Sequence, residues 1–546
     1  MMQYPHKTCV GLRTELRVTI AHHCSMIRFL RALPLWLCVA LLPACAGLPE
    51  NTGREYSTAW ATPGQTPLGR AVQAPAGVAT VRGDSGFRLI ASPQDALNTR
   101  LAMIQATSKT LDLQYYAIRA DQSTAELIER LRGAAQRGVR VRILLDDLNS
   151  VGADAQVLTL SFEKNIEIRL FNPLTGSRSS LLTRGLGSVM NLSLIQRRMH
   201  NKLFLADNAM AIVGGRNLGD AYFGRDPTAN YVDLDMLITG PVVRPLSASF
   251  DAYWNDPLAY PVETLISPQV LRDLKTTSVA KGESRPILAA TVGRSTDASQ
   301  MTSDSAAALD YLNQSWIWCS AVVLADKPEK ISDDEDDPAQ ETVIDGLLTL
   351  MLQAQHDVLI ISPYFVPGKE MMGVFSTLRQ RGVSVRVLTN SLASNDATLA
   401  HIGYAKYRQR LLETGVQLHE MRSEHQARLS SFGSSSASNS KLHVKAVIVD
   451  GRTLAIGSMN LDLRSHLYNT ELALVIRSRA LATGTASRIE PEMAKGAYRV
   501  ELLDGRLVWR APAGSGLDDS WTEPDSNFMT RLFLGLLGPL APEEFL

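Results

Sequence analysis

Met199-His-Asn-Lys-Leu-Phe-Leu-Ala-Asp207, followed by Gly214-Gly-Arg-Asn217, returns late in the chain as Leu442-His-Val-Lys-Ala-Val-Ile-Val-Asp450, followed by Gly457-Ser-Met-Asn460. From each histidine the lysine, aspartate and asparagine stand at the same offsets. A single HxKxxxxD match arises by chance in roughly one chain of this size in a few tens; two of them with matched asparagines are a repeat. Side chains alternate along a strand, so His200 and Lys202 share one face, as do His443 and Lys445, and each pair can line a cleft. Asp207 and Asp450 stand at odd spacing from their histidines, and Asp450-Gly451 is a hairpin signal, so both aspartates are expected chiefly to shape turns. The apolar runs Ala209 to Val213 and Thr453 to Ile456 then bring a glycine-bearing corner, with Asn217 or Asn460, beside the histidine. Glycine there permits close backbone approach.

The repeat extends upstream. Leu111-Asp-Leu-Gln-Tyr-Tyr116 predicts a strand, Thr124 to Gln136 an amphipathic helix capped by threonine, and Val139-Arg-Val-Arg-Ile-Leu-Leu145 a second strand. Val358-Leu-Ile-Ile-Ser-Pro-Tyr364, a helix over about Met371 to Arg381 and Val383-Ser-Val-Arg-Val-Leu388 repeat that βαβ plan. Even the joint recurs, as Gln136-Arg-Gly-Val139 and Gln380-Arg-Gly-Val383. A chain of 546 residues is too long for one ordinary core, and a repeat of this length implies two similar α/β domains related by pseudo-twofold symmetry.

Two histidines, two lysines and two asparagines of this kind suit phosphoryl chemistry. An ammonium and an amide donate to nonbridging phosphate oxygens, one histidine attacks phosphorus, and a second protonates the leaving oxygen. A nucleophilic histidine needs a carboxylate to hold its ring, and the following strand is the natural supplier. Glu471, in Asn469-Thr-Glu-Leu472, is the candidate in the second half; Asp233 or Asp235, in Tyr231-Val-Asp-Leu-Asp235, would serve in the first. Inward-pointing histidine-lysine pairs have no easy structural account, because a buried lysine needs partners. Ser458 and Arg216 suit phosphate contact or turn stabilisation equally well.

The N-terminus carries a compartment signal. Arg28 and Arg31 precede the apolar run Leu33 to Leu42, and Pro43-Ala44-Cys45-Ala46-Gly47 follows. The pattern reads as a secretory signal with Met26 as its functional start, and its apolar run is too short for a spanning helix. Ala44-Cys45, with Leu42 upstream, resembles a bacterial lipobox whose cysteine carries lipid. Cys9, Cys24 and Cys38 precede that cleavage, and a lipidated Cys45 leaves Cys319 without an intramolecular disulfide partner. Asn51 to about Gly83, rich in proline, glycine, alanine and threonine, suits a tether, with folding beginning near Phe87. The acidic stretch Ala325 to Gln340 and the serine-rich Leu429 to Ser440 read as surface loops. Phe528 to Leu540 reads as an amphipathic helix that closes the domain core or lies in a membrane interface. Lysine plus arginine and aspartate plus glutamate both number 55, and this zero net charge lacks the basic excess of a nucleic-acid binder.

The paired HxKxxxxD motifs with GSxN-type tails resemble the phospholipase D superfamily across nearly the whole mature chain. Gly214-Gly-Arg-Asn-Leu-Gly-Asp-Ala-Tyr222 and Gly457-Ser-Met-Asn-Leu-Asp-Leu-Arg-Ser465 are most similar to cardiolipin synthases of the C type. The resemblance implies an α/β fold of two phospholipase D-like domains, each a mixed sheet flanked by helices. It implies a catalytic set of His200, Lys202, Asp207, His443, Lys445 and Asp450, with Asn217, Ser458, Asn460, Asp233 and Glu471 binding phosphate or supporting. It also implies a phosphatidyl-histidine intermediate formed without metal or cofactor, with His200 favoured as nucleophile. Gly214-Gly215 departs from glycine-serine, so one hydroxyl contact to phosphate is expected to be absent or replaced. The expected organisation is an extension and signal over 1–44, a lipidated tether over 45–83 and a first domain over 84–290 with its motif at 200–217. A connecting segment with an acidic loop is expected over 291–345, and a second domain over 346–546 with its motif at 443–460 and a C-terminal amphipathic segment.

Three classes of function follow. The first is a phosphatidyltransferase making cardiolipin from phosphatidylglycerol and a second phospholipid such as phosphatidylethanolamine, with hydrolysis to phosphatidic acid as its close variant. The second is an exported nuclease, disfavoured by the charge balance. The third is a noncatalytic lipid-binding lipoprotein, which would be expected to lack one of the four motif histidines and lysines, all of which are present. The expected protein is a monomer with both half-sites in one chain, binding no nucleic acid. It is held by its anchor in the cell envelope facing the periplasm, with Ala46 hinting at the outer membrane.

Overall fold

The computed structural model describes residues 48–71, 83–149, 152–174, 195–266, 269, 298–332, 341–423, 439–527, 529 and 531–532. The signal segment, Cys45, the second half of the acidic stretch, the greater part of the serine-rich loop and nearly all of the C-terminal amphipathic stretch lie outside the described residues.

Each half builds a nine-stranded sheet. From edge to edge the first contains Ile317–Cys319, Ser85–Ile90, Asp235–Thr239, Met210–Gly214, Leu203–Ala206, Thr110–Tyr115, Arg140–Asp146, Ile166–Phe171 and Ala259–Pro261. The second contains Ala321–Ala325, Leu472–Arg477, Thr453–Gly457, Ala446–Val449, Asp357–Ile361, Ser384–Asn390, Gln417–Met421, Ala497–Leu503 and Arg506–Arg510. Eight positions correspond one to one, and each half adds a different edge strand. Within each sheet the crossover strands run parallel, as Thr110–Tyr115 beside Arg140–Asp146 and Asp357–Ile361 beside Ser384–Asn390. The motif hairpins run antiparallel, Leu203–Ala206 with Met210–Gly214 and Ala446–Val449 with Thr453–Gly457. The sheets are therefore mixed.

The crossover helices lie at Gln122–Gln136 and Gly368–Gln380. The first is capped by Asp121, which accepts from the Thr124 amide, so the threonine expected as the cap sits inside the helix. Each half keeps a core of its own under its helices. A third core is shared: Leu203, Leu205, Ala211 and Val213 pack in one cluster with Ala446, Ile448, Leu454 and Ile456. Two apolar strand faces are thus covered by each other.

Two expectations about the connections need correcting. Residues 48–71, placed in a tether, lie along the first half. Three strand arginines, Arg140, Arg142 and Arg169, donate to the carbonyls of Thr58, Ser57 and Glu55 at 2.6, 2.9 and 2.6 Å, and Leu68 is fully buried. A segment without apolar periodicity is fixed here through its backbone carbonyls, which composition does not report. The stretch 291–345 is not a free connection where described. Ala298–Leu312 packs on the helix Pro93–Ala106, Ile317–Cys319 joins the first sheet, and Ala321–Ala325 opens the second. The halves change over at Ser320.

Candidate active site

The two halves touch through their motifs. Asn439–Leu442 pairs in parallel with Ala229–Val232 in register Leu442 to Val232, and Met199 bridges Thr470, again in parallel. In each case the next residue on one strand is a motif histidine and on the other a carboxylate. His443 Nδ1 meets Asp233 Oδ2 at 2.6 Å. His200 Nδ1 meets Glu471 Oε1 and Oε2 at 2.9 and 3.0 Å. Each histidine is held by the other half, whereas the sequence suggested a carboxylate from its own. Register explains the exchange, because parallel pairing brings equivalent steps of two strands side by side. Asp235, the alternative to Asp233, instead pairs with Arg100 and Arg216.

With Nδ1 of both rings directed to carboxylates, Nε2 is left for the cleft, the tautomer logic of a nucleophile or acid/base histidine. Lys202 Nζ donates to the His200 carbonyl at 2.7 Å and Lys445 Nζ to that of His443 at 2.8 Å. Tyr116 sets its edge against the His200 ring at 5.0 Å, and Tyr222 does the same for His443 at 5.4 Å.

Burial dominates the electrostatics. It pushes the His200 imidazole well below its ordinary value, and the charges of Lys202, Lys445, His443 and Arg464 push the same way. His443 is lowered too, by burial and Lys445, with Asp233 resisting. Burial pulls Lys202 down to about 7 against Glu471 and Lys445 down to about 8 against Asp233. Glu471 is pushed up to about 7 by burial, against Lys202 and the hydroxyls of Ser458 and Ser465. Burial also raises Asp233, but His443, Lys445 and Arg216 outweigh it and the carboxyl falls below its usual range. Two desolvated ammonium groups beside two histidines form a site complementary to an anion.

The remaining expected residues divide. Ser458 Oγ donates to Glu471 Oε2 at 2.6 Å, so its hydroxyl orients the carboxylate rather than facing phosphate. At the matching Gly215 a Cβ would lie 2.5 Å from Asp233 Oδ1: the carboxylate fills that place, which accounts for the glycine. Arg216 bonds to the carbonyls of Ala91 and Tyr222, a local bracing role. Asn217 Nδ2 donates to the Tyr222 hydroxyl at 2.9 Å. Asn460 Oδ1 is buried without a protein partner among the described residues.

Asp207 and Asp450 sit at the far ends of the strands that His200 and His443 precede, both with left-handed φ, 53° and 52°. Asp207 accepts from the amides of Ser108, Lys109 and Thr110, and Asp450 from those of Gln355, His356 and Asp357. The structure thus separates them from the catalytic set in which the resemblance placed them, and gives them the turn-shaping role that spacing suggested. Asp207→Ala is expected to cost about 2 kcal/mol of stability by stranding three amides, with activity per folded molecule kept. A denaturant midpoint read beside specific activity checks this.

Sequence reasoning missed several neighbours. Ser465 Oγ donates to Glu471 Oε1 at 2.8 Å, and Arg464, just before it, lies within electrostatic reach of His200. Both stand in the tail Gly457 to Ser465, and Asp462, which caps the short helix through the Ser465 amide, was the available signal. Asp326, which accepts from the Glu471 amide at 2.9 Å, gave none. Away from the cleft, Asp345, Glu370 and His466 bring ligand atoms within 4.8 Å of one another. That group could hold a cation, although the Asp345 carboxylate already caps the helix Val343–Leu352.

A family model described as cardiolipin synthase, phospholipase D-like domain matches residues 101–254 and 347–492, together more than half of the chain. Cardiolipin synthase C of Escherichia coli (strain K12) is 34% identical over 477 residues, 85% of this chain and 96% of that protein. An uncharacterized protein of Helicobacter pylori (strain ATCC 700392 / 26695) is 31% identical over 91% of this chain and 96% of its own length. The crystal structure of phosphatidylserine synthase from Haemophilus influenzae Rd KW20 aligns with 76% of this chain and 87% of its own, at 14% identity and a TM-score of 0.48. On the two matched domains and the near full-length likeness to Cardiolipin synthase C, the chain belongs to the cardiolipin synthase family of phospholipase D-like proteins and is a phospholipase D-type phosphatidyltransferase.

Proposed function

We propose that this enzyme transfers a phosphatidyl group from phosphatidylethanolamine or phosphatidylglycerol to the glycerol headgroup of a phosphatidylglycerol, yielding cardiolipin. The observation that carries the chemistry is the pair of reciprocal histidine–carboxylate contacts closing around two buried lysines. His200 Nε2 attacks phosphorus, the bond from phosphorus to the headgroup oxygen breaks, and His443 supplies the proton to that oxygen. The acceptor hydroxyl then gives its proton to His443 and attacks phosphorus, and the bond to His200 breaks. His200 suits the nucleophile because its surroundings hold it well below the usual imidazole range; His443 is lowered too, but Asp233 resists the shift, which makes it the better proton carrier of the two. Lys202 and Lys445 neutralise the phosphate, as charge-stabilising donors do in phosphoryl transfer. Likeness to Cardiolipin synthase C supports a lipid acceptor over water.

The lipobox reading of Cys45 supports a lipid anchor facing the periplasm, Ala46 after it favours the outer membrane, and the complete set of half-sites in one chain supports action as a monomer. No helix among the described residues is long and apolar enough to cross a membrane. The full chain is to be incubated with vesicles of phosphatidylethanolamine and phosphatidylglycerol and the lipids followed by mass spectrometry, with His200→Ala as control. Cardiolipin lost in the variant is expected; phosphatidic acid alone would replace transfer by hydrolysis.

The site also sets a pH window. Glu471, raised to about 7, must be ionised to accept the His200 Nδ1 proton, so activity falls as pH drops below that value. Lys202 and Lys445, lowered to about 7 and about 8, lose their charge as pH rises. A bell-shaped kcat/KM centred roughly between pH 7 and 8 is expected, its limbs belonging to the coupled set. A flat profile from pH 6 to 10 would contradict it.

A further inference from the structure

We propose that Asp396, with Tyr231 and Tyr364, forms a headgroup subsite for a cationic amino-alcohol on the His443 side of the cleft, an inference that rests on the transfer reaction above. Asp396 is exposed, in the loop after the strand Ser384–Asn390. Its Oδ2 accepts from the Tyr231 hydroxyl at 2.7 Å and its Oδ1 from the Tyr364 hydroxyl at 2.6 Å, one tyrosine from each half. The Tyr231 ring lies 5.0 Å from the His443 ring and stacks on Tyr222 at 4.6 Å. A carboxylate set among aromatic rings is the chemistry that recognises an ammonium group.

The position fits the reaction line. In-line displacement puts the departing headgroup opposite the nucleophile, beside the group that protonates it. The two ends of this cleft differ in their charged neighbours: Arg464 acts on His200, whereas the Asp396 carboxylate is within reach of His443 and Lys445. Partial desolvation by the groups around it pushes the Asp396 carboxyl up, but the two tyrosine hydroxyls, His443 and Lys441 outweigh it, so it is an anion at neutral pH. An ethanolamine headgroup leaving from His443 meets that anion; a glycerol headgroup has no charge to offer it. The rival role for Asp396 is a tie between Tyr231 and Tyr364 across the cleft mouth, which uses hydrogen bonds and needs no charge.

Binding of sn-glycero-3-phosphoethanolamine and sn-glycero-3-phosphoglycerol to the full chain carrying His200→Ala, measured by calorimetry, tests the subsite without turnover. Adding Asp396→Asn is expected to lower the ratio of ethanolamine to glycerol affinity roughly tenfold. Adding Tyr364→Phe, which cuts the tie but keeps the charge, is expected to leave the ratio within about twofold. Equal weakening of both ligands by Asp396→Asn, or the same ratio shift from Tyr364→Phe, would reduce Asp396 to a tie and overturn the proposal. In vesicles holding both lipids, the otherwise wild-type chain with Asp396→Asn is expected to release ethanolamine less readily relative to glycerol. Failure of the unaltered enzyme to turn over either lipid would instead strike the transfer reading, with the binding ratio still deciding the subsite.

Discussion

His200→Ala is expected to lower turnover of phospholipid roughly 10⁵-fold, the scale on which an enzyme loses a nucleophile while keeping its remaining machinery. Among the described residues of the site only the Nε2 atoms of His200 and His443 are left to meet phosphorus: the lysines are engaged with the carbonyls of His200 and His443, and Nδ1 of each histidine is turned to a carboxylate. His443→Ala is expected to be nearly as damaging with phospholipid, for a different reason. Its loss strands the departing alkoxide, so a phosphodiester with a p-nitrophenyl leaving group, which needs no proton, should recover the first step in His443→Ala and not in His200→Ala. A burst of p-nitrophenol from His443→Ala, together with phosphorus label retained on protein denatured at alkaline pH, where a phosphorus–nitrogen bond survives, would fix the roles. Rescue of His200→Ala instead would exchange them.

The second large effect concerns the carboxylates. Asp233→Asn and Glu471→Gln are each expected to cost about 10³- to 10⁴-fold with phospholipid, since an amide can hold the ring in the wrong tautomer. Their rescue should follow the crossed pairing. Asp233 serves His443, so Asp233→Asn should regain the first step with the p-nitrophenyl substrate. Glu471 serves His200, so Glu471→Gln should not. The opposite pattern would mean that each carboxylate works within its own half, against the contacts at 2.6 and 2.9 Å.

Much of this architecture was legible because it is written twice. Matched offsets around His200 and His443, and the recurring Gln-Arg-Gly-Val joint, give two α/β halves and one shared cleft. Glu471 and Asp233 were also legible as carboxylates that a histidine needs. What a linear reading lacks is pairing between distant strands: nothing local to Leu442 says that it lies beside Val232. The same limit hid Asp396, which reaches the site only because Tyr231 and Tyr364 converge on it from opposite halves. The packing of residues 48–71 escaped notice because it depends on buried arginines seeking carbonyls, not on apolar side chains.

The crossed histidine–carboxylate contacts have the form of an isologous interface, in which each partner gives what it receives. Two identical half-length chains meeting in this way would satisfy both contacts at once, without any further device. Fusing such copies into one polypeptide makes neither dispensable, since a half that lost its carboxylate would disable the histidine of the other. It also frees the copies to diverge. Ser458 beside Glu471 and bare Gly215 beside Asp233 fit that freedom, since matched corners of the two halves hold their carboxylates in dissimilar ways.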